Sequence, residues 1–149
     1  MRIVDDVLLG LLRAAVPPLD GDPRVHDGFV PVSKKDPNVV TAALPYLAYY
    51  SSLGDDSNRR TSGANGRRSV FFQVTYVGED RAQAKWAGEK QRAALADKVI
   101  HIPGRKSWRV ILGESQRIRR DDDAARPDGS PLFYGVDLYS VAVTRSPNE

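Results

Sequence analysis

The chain has 149 residues, 41% hydrophobic and 28% charged, which predicts one soluble domain over residues 1–149 and leaves no apolar stretch near the roughly 20 residues of a membrane span. Its 22 basic and 19 acidic residues leave a net charge of +3, too small an excess to indicate nucleic-acid binding by itself. The absence of cysteine excludes disulfides, thiolate metal sites and a cysteine nucleophile.

The first predicted element is an amphipathic helix over Arg2–Ala15, because apolar residues recur there at the i, i+3, i+4 spacing of one buried stripe. Pro17 and Pro18 end it. A short strand is predicted at residues 28–32. A second strand is predicted at residues 46–53, where aromatic residues and leucine cluster without a breaking residue.

Residues 54–68 (GDDSNRRTSGANGRR) separate this strand from the next strand-like run and contain no large apolar side chain. A hairpin between two strands closes with about two to five residues, so this connection is far longer than folding requires. Its glycine, aspartate and arginine content is typical of a mobile loop. We predict that this loop orders on the surface of a partner.

The run SVFFQVTYV after the loop has two apolar faces, which predicts a central strand that is covered on both sides and ends at Gly78. Glu79 and Asp80 stand where a helix N-terminus favours anions, and the helix is predicted to continue to about Lys98. Small residues form a stripe that can lie close to a sheet. The stripe comprises Ala84, Ala87, Gly88, Gln91, Ala94, Leu95 and Val99.

Residues 107–112 and 115–120 read as two strands or as one strand bent at Gly113, residues 121–130 as a polar turn, and residues 132–144 as a long final strand. The predicted fold class is α+β, with a single mixed or antiparallel sheet and two helices packed on one face. Two helices cover only one face of such a sheet. The second apolar face therefore predicts contact with another subunit.

The residues that most often carry chemistry do not form a recognisable site. His26 and His101 are isolated, and Ser115 lacks the closing glycine of a nucleophile elbow. The adjacent Asp121, Asp122 and Asp123 lack the alternating ligands of a calcium loop, so a solvated hairpin tip is the favoured interpretation. No phosphate-binding glycine motif occurs. We expect no catalytic, metal or cofactor site, and a protein that is not an enzyme.

Arginines offer a different kind of site. On a regular strand Arg117 and Arg119 share one face, and they could form a single basic surface with the loop arginines. Three interpretations remain open: solvated charges, a protein interface, or specific nucleic-acid contact. The loop arginines are Arg59, Arg60, Arg67 and Arg68.

The order of segments resembles the tail terminator proteins of long-tailed, non-contractile bacteriophages. The likeness rests on the N-terminal helix, the run LPYLAYYSS, an arginine-bearing loop, the strand SVFFQVTYVG, the helix EDRAQAKWAGEKQRAAL and the closing strand PLFYGVDLYSVAV. It covers nearly the whole chain and is most recognisable over residues 70–95.

The resemblance implies a virion protein, assembled in the host cytoplasm, that forms a six-fold ring on the head-proximal end of the tail tube. Such a ring stops polymerisation of the tube protein, offers a surface to the head-closure or neck protein, and lets DNA pass without specific binding. The four loop arginines would then bind carboxylates of the tube or of a neighbouring subunit. Another neck protein, or less favourably a nucleic-acid-binding module, is the alternative.

Overall fold

The described residues, 2–52 and 67–144, form two helices and five strands in the computed structural model. In chain order these elements are α1 (Arg2–Ala15), β1 (Val25–Asp27), β2 (Tyr46–Ser51), β3 (Arg67–Gly78), α2 (Arg81–Leu95), β4 (Ile111–Ala125) and β5 (Pro131–Thr144).

The strands form one mixed sheet in the order β1-β2-β3-β5-β4, in which β1 and β2 run parallel and all other neighbours run antiparallel. β3 is the middle strand, as its two apolar faces predict. Side chains from both helices share a single core with one face of the sheet. We call that face of the sheet the helix face. The α+β prediction is therefore confirmed.

Helix α1 has the predicted bounds and contributes one apolar stripe to this core. Val4, Leu8 and Leu12 are fully buried, as the spacing of apolar residues requires. The phenol of Tyr49 on β2 lies beneath the helix and donates a hydrogen bond of 2.6 Å to Asp5 Oδ1. This contact joins the first turns of α1 to the sheet.

Helix α2 begins with a reciprocal cap. Asp80 Oδ1 accepts the Gln83 backbone N–H at 2.7 Å, and Gln83 Oε1 accepts the Glu79 backbone N–H at 2.7 Å. The helix ends at Leu95 rather than near Lys98, so the predicted C-terminal end is wrong. The stripe of small residues is confirmed up to that point. Its buried members are Ala84, Ala87, Gly88, Gln91 and Leu95.

Three other predicted boundaries are wrong for local reasons. The first strand is Val25–Asp27 rather than residues 28–32, because Gly28 adopts a φ of 71° and turns the chain out of the sheet. The alternative of one strand bent at Gly113 is correct for β4, whose pairing is irregular there, but the strand begins at Ile111 rather than at residue 107. The strand then extends to Ala125, so only residues 126–130 form the turn.

The second face of the sheet, which we call the open face, is covered at one end by the chain itself. Val40 packs there against Tyr46, Val77 and Leu132. Its backbone N–H also donates to the Ala125 carbonyl at 2.9 Å, which holds the segment around Val40 against the end of β4. The prediction that this face lacks intramolecular cover is therefore wrong for this end of the sheet.

Candidate interaction surfaces

The opposite end of the open face exposes large apolar side chains. Tyr50, Phe71 and Ile111 have exposed fractions of 41%, 46% and 56%, and half-buried Leu138 lies between them. Strand pairing places all four on one face, since Phe71 is opposite Ser140, Ser140 is opposite Ile111, and Gln73 joins Tyr50 to Leu138. We call these four apolar residues the open patch.

Two shallow grooves of about 350 and 300 Å³ flank Phe71 within the open patch. Polar side chains lie among these residues, with Gln73 between Tyr50 and Leu138 and Ser140 between Phe71 and Ile111. Protein interfaces commonly combine apolar and polar surface. The open patch is therefore suited to contact with another protein surface.

The described arginines of the predicted basic surface, Arg67, Arg68, Arg117 and Arg119, do not form one surface. Arg59 and Arg60 lie outside the described residues, as do residues 54–66 of the predicted mobile loop. Arg67 and Arg68 are the first residues of β3 instead of loop residues, and they pair with Thr144 and Val143. The prediction that they belong to the loop is wrong, because the β3–β5 ladder extends to the last described residues of β5.

Arg67 is held by an aromatic ring. Its guanidinium lies 4.2 Å from the ring centroid of Trp108, and the Lys106 ammonium lies 5.3 Å from the same centroid. Arg119 pairs with Tyr134, which in turn pairs with Val77 on β3. Val77 lies ten residues along β3 from Arg67, which is a distance of roughly 33 Å. Arg67 and Arg119 therefore belong to opposite ends of the sheet.

Arg117 and Arg119 also lie on opposite faces, contrary to the sequence prediction. Gln116 pairs with Val136 and Arg119 pairs with Tyr134, so three steps along β4 match two steps along β5. This extra residue is a β-bulge, and it reverses the alternation of side chains. Arg117 follows open-face Gln116 and faces α2, whereas the bulge places Arg119 on the open face, where its Nε–H donates to the Tyr134 hydroxyl at 2.9 Å.

A buried polar network lies on the helix face, where β5 meets α2 and β4. Asp137 has no solvent exposure, and its carboxylate accepts from Arg92 Nε at 2.7 Å, Arg92 Nη2 at 2.8 Å, Gln91 Nε2 at 2.5 Å and the Ser115 hydroxyl at 2.7 Å. The Tyr139 hydroxyl donates to Gln91 Oε1. Each Asp137 oxygen has two donors, which satisfies the carboxylate.

The charges of this network shift the pKa values of its members. Hydrogen bonding to Asp137 raises the pKa of the Arg92 guanidinium. Burial, followed by the nearby charge of Asp137, raises the pKa of the Tyr139 phenol and of the Tyr76 phenol. Both phenols are therefore neutral at neutral pH, and that of Tyr139 is the donor to Gln91.

The Tyr76 ring lies in a slot between α2 and β5 that two glycines create. A Cβ atom at Gly88 would meet the ring at 2.9 Å, and one at Gly135 would meet it at 2.4 Å. A larger residue at Gly135 would therefore displace the ring. The glycines allow the phenol of a central strand to extend outward between α2 and β4.

Beside Tyr76 is a cavity of about 280 Å³ between α2 and β4, which we call the α2–β4 pocket. Three cationic side chains, Lys85, Arg92 and Arg117, line it together with Glu89. Sequence reasoning missed this site because the pairing of β4 with β5 and the contact of Arg92 with Asp137 join residues far apart in the chain.

The residues first considered for catalysis do not assemble with one another. His26 is buried, its ring meets that of Tyr46 edge-on at 5.6 Å, and burial lowers its pKa. His101 is exposed on the other side of the core, and Ser115 Oγ donates to a carboxylate rather than to an imidazole. Within residues 2–52 and 67–144, no group of three or more metal-ligating side chains could hold a metal ion. Asp121, Asp122 and Asp123 therefore do not form such a group.

Comparison with known proteins identifies a shared fold. No family model and no curated protein matches the chain. One similar solved chain belongs to a structure described as the virion of a native gene transfer agent particle, with a TM-score of 0.59 and 13% identity over 94% of each chain. Within the part of the chain that the structure describes, no helix is long and apolar enough to cross a membrane.

Proposed function

We propose that this chain is a structural protein of a phage-like virion. The observation that carries this proposal is the match with a chain of a gene transfer agent virion, which spans 94% of both chains. A shared fold alone does not assign a role. The open patch supports a role in assembly, because exposed large apolar side chains interleaved with polar groups are suited to contact with a second protein.

Within the virion, we assign the chain the role of a tail terminator. It forms a ring, six-fold as in the proteins it resembles, on the head-proximal end of the tail tube. The ring ends polymerisation of the tube protein and offers its other side to the head-closure or neck protein. The open patch supplies one contact between neighbouring subunits, and DNA passes through the ring without specific recognition.

Neither catalysis nor specific nucleic-acid binding is part of this proposal. Ser115 and the two histidines are not arranged as a nucleophile and base, which favours a structural role. Arg67, Arg117 and Arg119 are divided between two ends and two faces of the sheet, which argues against a continuous phosphate-binding track. Retention on DNA that weakens steeply with salt would favour the nucleic-acid alternative.

The test is the length of tail tubes assembled with and without this chain. Negative-stain imaging should show tubes of uncontrolled length in its absence and uniform tubes when it is supplied. Tails of normal length that fail to join heads would instead identify a head-closure or other neck protein. Tubes and joined particles that are unaffected by its removal would refute a role in tail assembly.

A further inference from the structure

We propose that the α2–β4 pocket binds a single carboxylate group. The binding group is the Arg92 guanidinium, which is oriented before any ligand arrives. Its Nε–H and one Nη2–H donate to buried Asp137, and Nη2 also donates to Ser115 Oγ at 2.5 Å. Neither Asp137 nor Ser115 uses the Nη1 group, and the Tyr76 hydroxyl is within hydrogen-bond reach of the same guanidinium. A fixed guanidinium loses little side-chain entropy when it binds an anion.

The second part of the site is Arg117, which directly follows open-face Gln116 on β4 and therefore faces α2. Without the bulge, Arg119 would share this face with Arg117; the bulge places Arg119 on the open face, on the far side of the sheet from Arg92. Lys85 completes the cationic lining. Its distance of 4.0 Å to Glu89 and the 70% exposure of its side chain make that ion pair weak, so the ammonium can turn to a ligand.

The balance of charge selects the class of ligand. Three cations, Lys85, Arg92 and Arg117, face two carboxylates, Glu89 and Asp137, which leaves one excess positive charge. A carboxylate carries one negative charge and matches the planar fork of an arginine, whereas a phosphate ester carries about 1.5 to 2 negative charges at pH 7. The site therefore fits a monocarboxylate better than a phosphate.

This carboxylate can belong to a free small acid or to an acidic side chain of another protein. The two sources are distinguished by titrating the full chain with acetate and with the peptide acetyl-Gly-Glu-Gly-amide. The peptide acetyl-Gly-Gln-Gly-amide is the neutral control, and inorganic phosphate is the competing anion. Binding is followed by NMR, through the Nε–H signals of Arg92 and Arg117 and the backbone signals of Lys85 and Ser115.

We expect saturable shifts at these signals with acetate and with the Glu peptide, and none with the Gln peptide. Tighter binding of the Glu peptide than of acetate would identify a protein side chain as the source, and equal binding would identify a free acid. Arg117→Gln should weaken binding at least about tenfold, since hydrogen bonds to charged groups contribute about 1.5–3 kcal/mol.

Arg119→Gln is the matched control, because it removes the same charge from the same strand on the opposite face. It should leave the affinity unchanged. Equal shifts with the Gln peptide, unchanged binding by a folded Arg117→Gln variant, or tighter binding of phosphate than of either carboxylate would refute the proposal. The proposed role in tail assembly does not depend on this result, since that role is tested by the length of tail tubes, whereas carboxylate binding is tested on the free chain.

Discussion

Asp137 connects three elements through one carboxylate. It lies on β5, binds Arg92 and Gln91 on α2, and binds Ser115 on β4. A buried ion pair adds little stability relative to apolar residues of the same shape, but removal of one partner leaves the other uncompensated. The network therefore sets the position of α2 on the sheet, and its net contribution to the free energy of unfolding is small.

Replacement of Asp137 should be costly. Asp137→Ala removes the acceptor of four hydrogen bonds and should lower the free energy of unfolding by about 3 kcal/mol, the lower end for broken buried pairs because Arg92 is 41% exposed and can be hydrated. Ser115→Ala, which removes one neutral donor, should cost about 1 kcal/mol. Urea denaturation measures both. Equal losses for the two variants would contradict the central role of Asp137.

His26 makes folding sensitive to mild acid. Burial lowers its pKa below the usual 6.5, so between pH 6.5 and its folded-state pKa the unfolded chain binds a proton that the folded chain does not. The stability due to neutral His26 is complete above pH 6.5 and is lost as pH falls through the folded-state pKa. The urea midpoint should therefore decrease with acidification.

His26→Phe keeps a ring beside Tyr46 but cannot be protonated. Its urea midpoint should fall less than that of the wild type between pH 7.5 and 5.5. Parallel curves for the wild type and His26→Phe would show that other groups cause the acid sensitivity.

At the scale of elements, Gly135 in the sheet and Gly10 in helix α1 have opposite effects on stability. Gly135→Ala would place a Cβ atom 2.4 Å from the Tyr76 ring and should cost about 1–3 kcal/mol through overpacking. Gly10→Ala meets no atom within 4 Å inside helix α1 and should stabilise the protein by about 0.5–1 kcal/mol. Thermal or urea unfolding tests both signs, and a stabilising Gly135→Ala would show that the slot has spare room.

Local periodicity explains which elements could be predicted from the sequence. The bounds of α1 and the buried stripe of α2 follow from the 3.6-residue repeat, and the central position of β3 follows from its two apolar faces. The bulge at Arg117 could not be predicted, because it depends on a mismatch with β5. The α2–β4 pocket was missed because it joins Lys85 and Arg92 on α2 to Arg117 on β4, which only the packing of α2 on the sheet brings together.

At the scale of the whole molecule, the two faces of the sheet differ in how completely the chain covers them. The helices bury one face, whereas the segment around Val40 covers only one end of the other. Long-range cover of this kind has no periodic signal, so sequence reasoning left the whole second face open. Because the segment around Val40 covers that end of the open face, the predicted subunit contact is restricted to the open patch around Phe71.

Phe71 and Phe72 separate folding from assembly, because they are adjacent on β3 and face opposite sides. Phe72 is 3% exposed and stacks on Tyr139 with ring centroids 5.1 Å apart, so Phe72→Ala should lower the free energy of unfolding by about 3–5 kcal/mol. Phe71 is 46% exposed, and Phe71→Ala should cost less than about 1 kcal/mol.

The assembly phenotype should be the reverse of the folding phenotype. If the open patch is a subunit contact, Phe71→Ala protein should remain folded but fail to give tails of uniform length, because the contact loses its central aromatic side chain. Urea denaturation and negative-stain measurement of tube length, made on the same preparations, provide the two readouts. Normal tube lengths with folded Phe71→Ala protein would exclude the open patch from the contact and direct the search for a subunit interface to another surface of the chain.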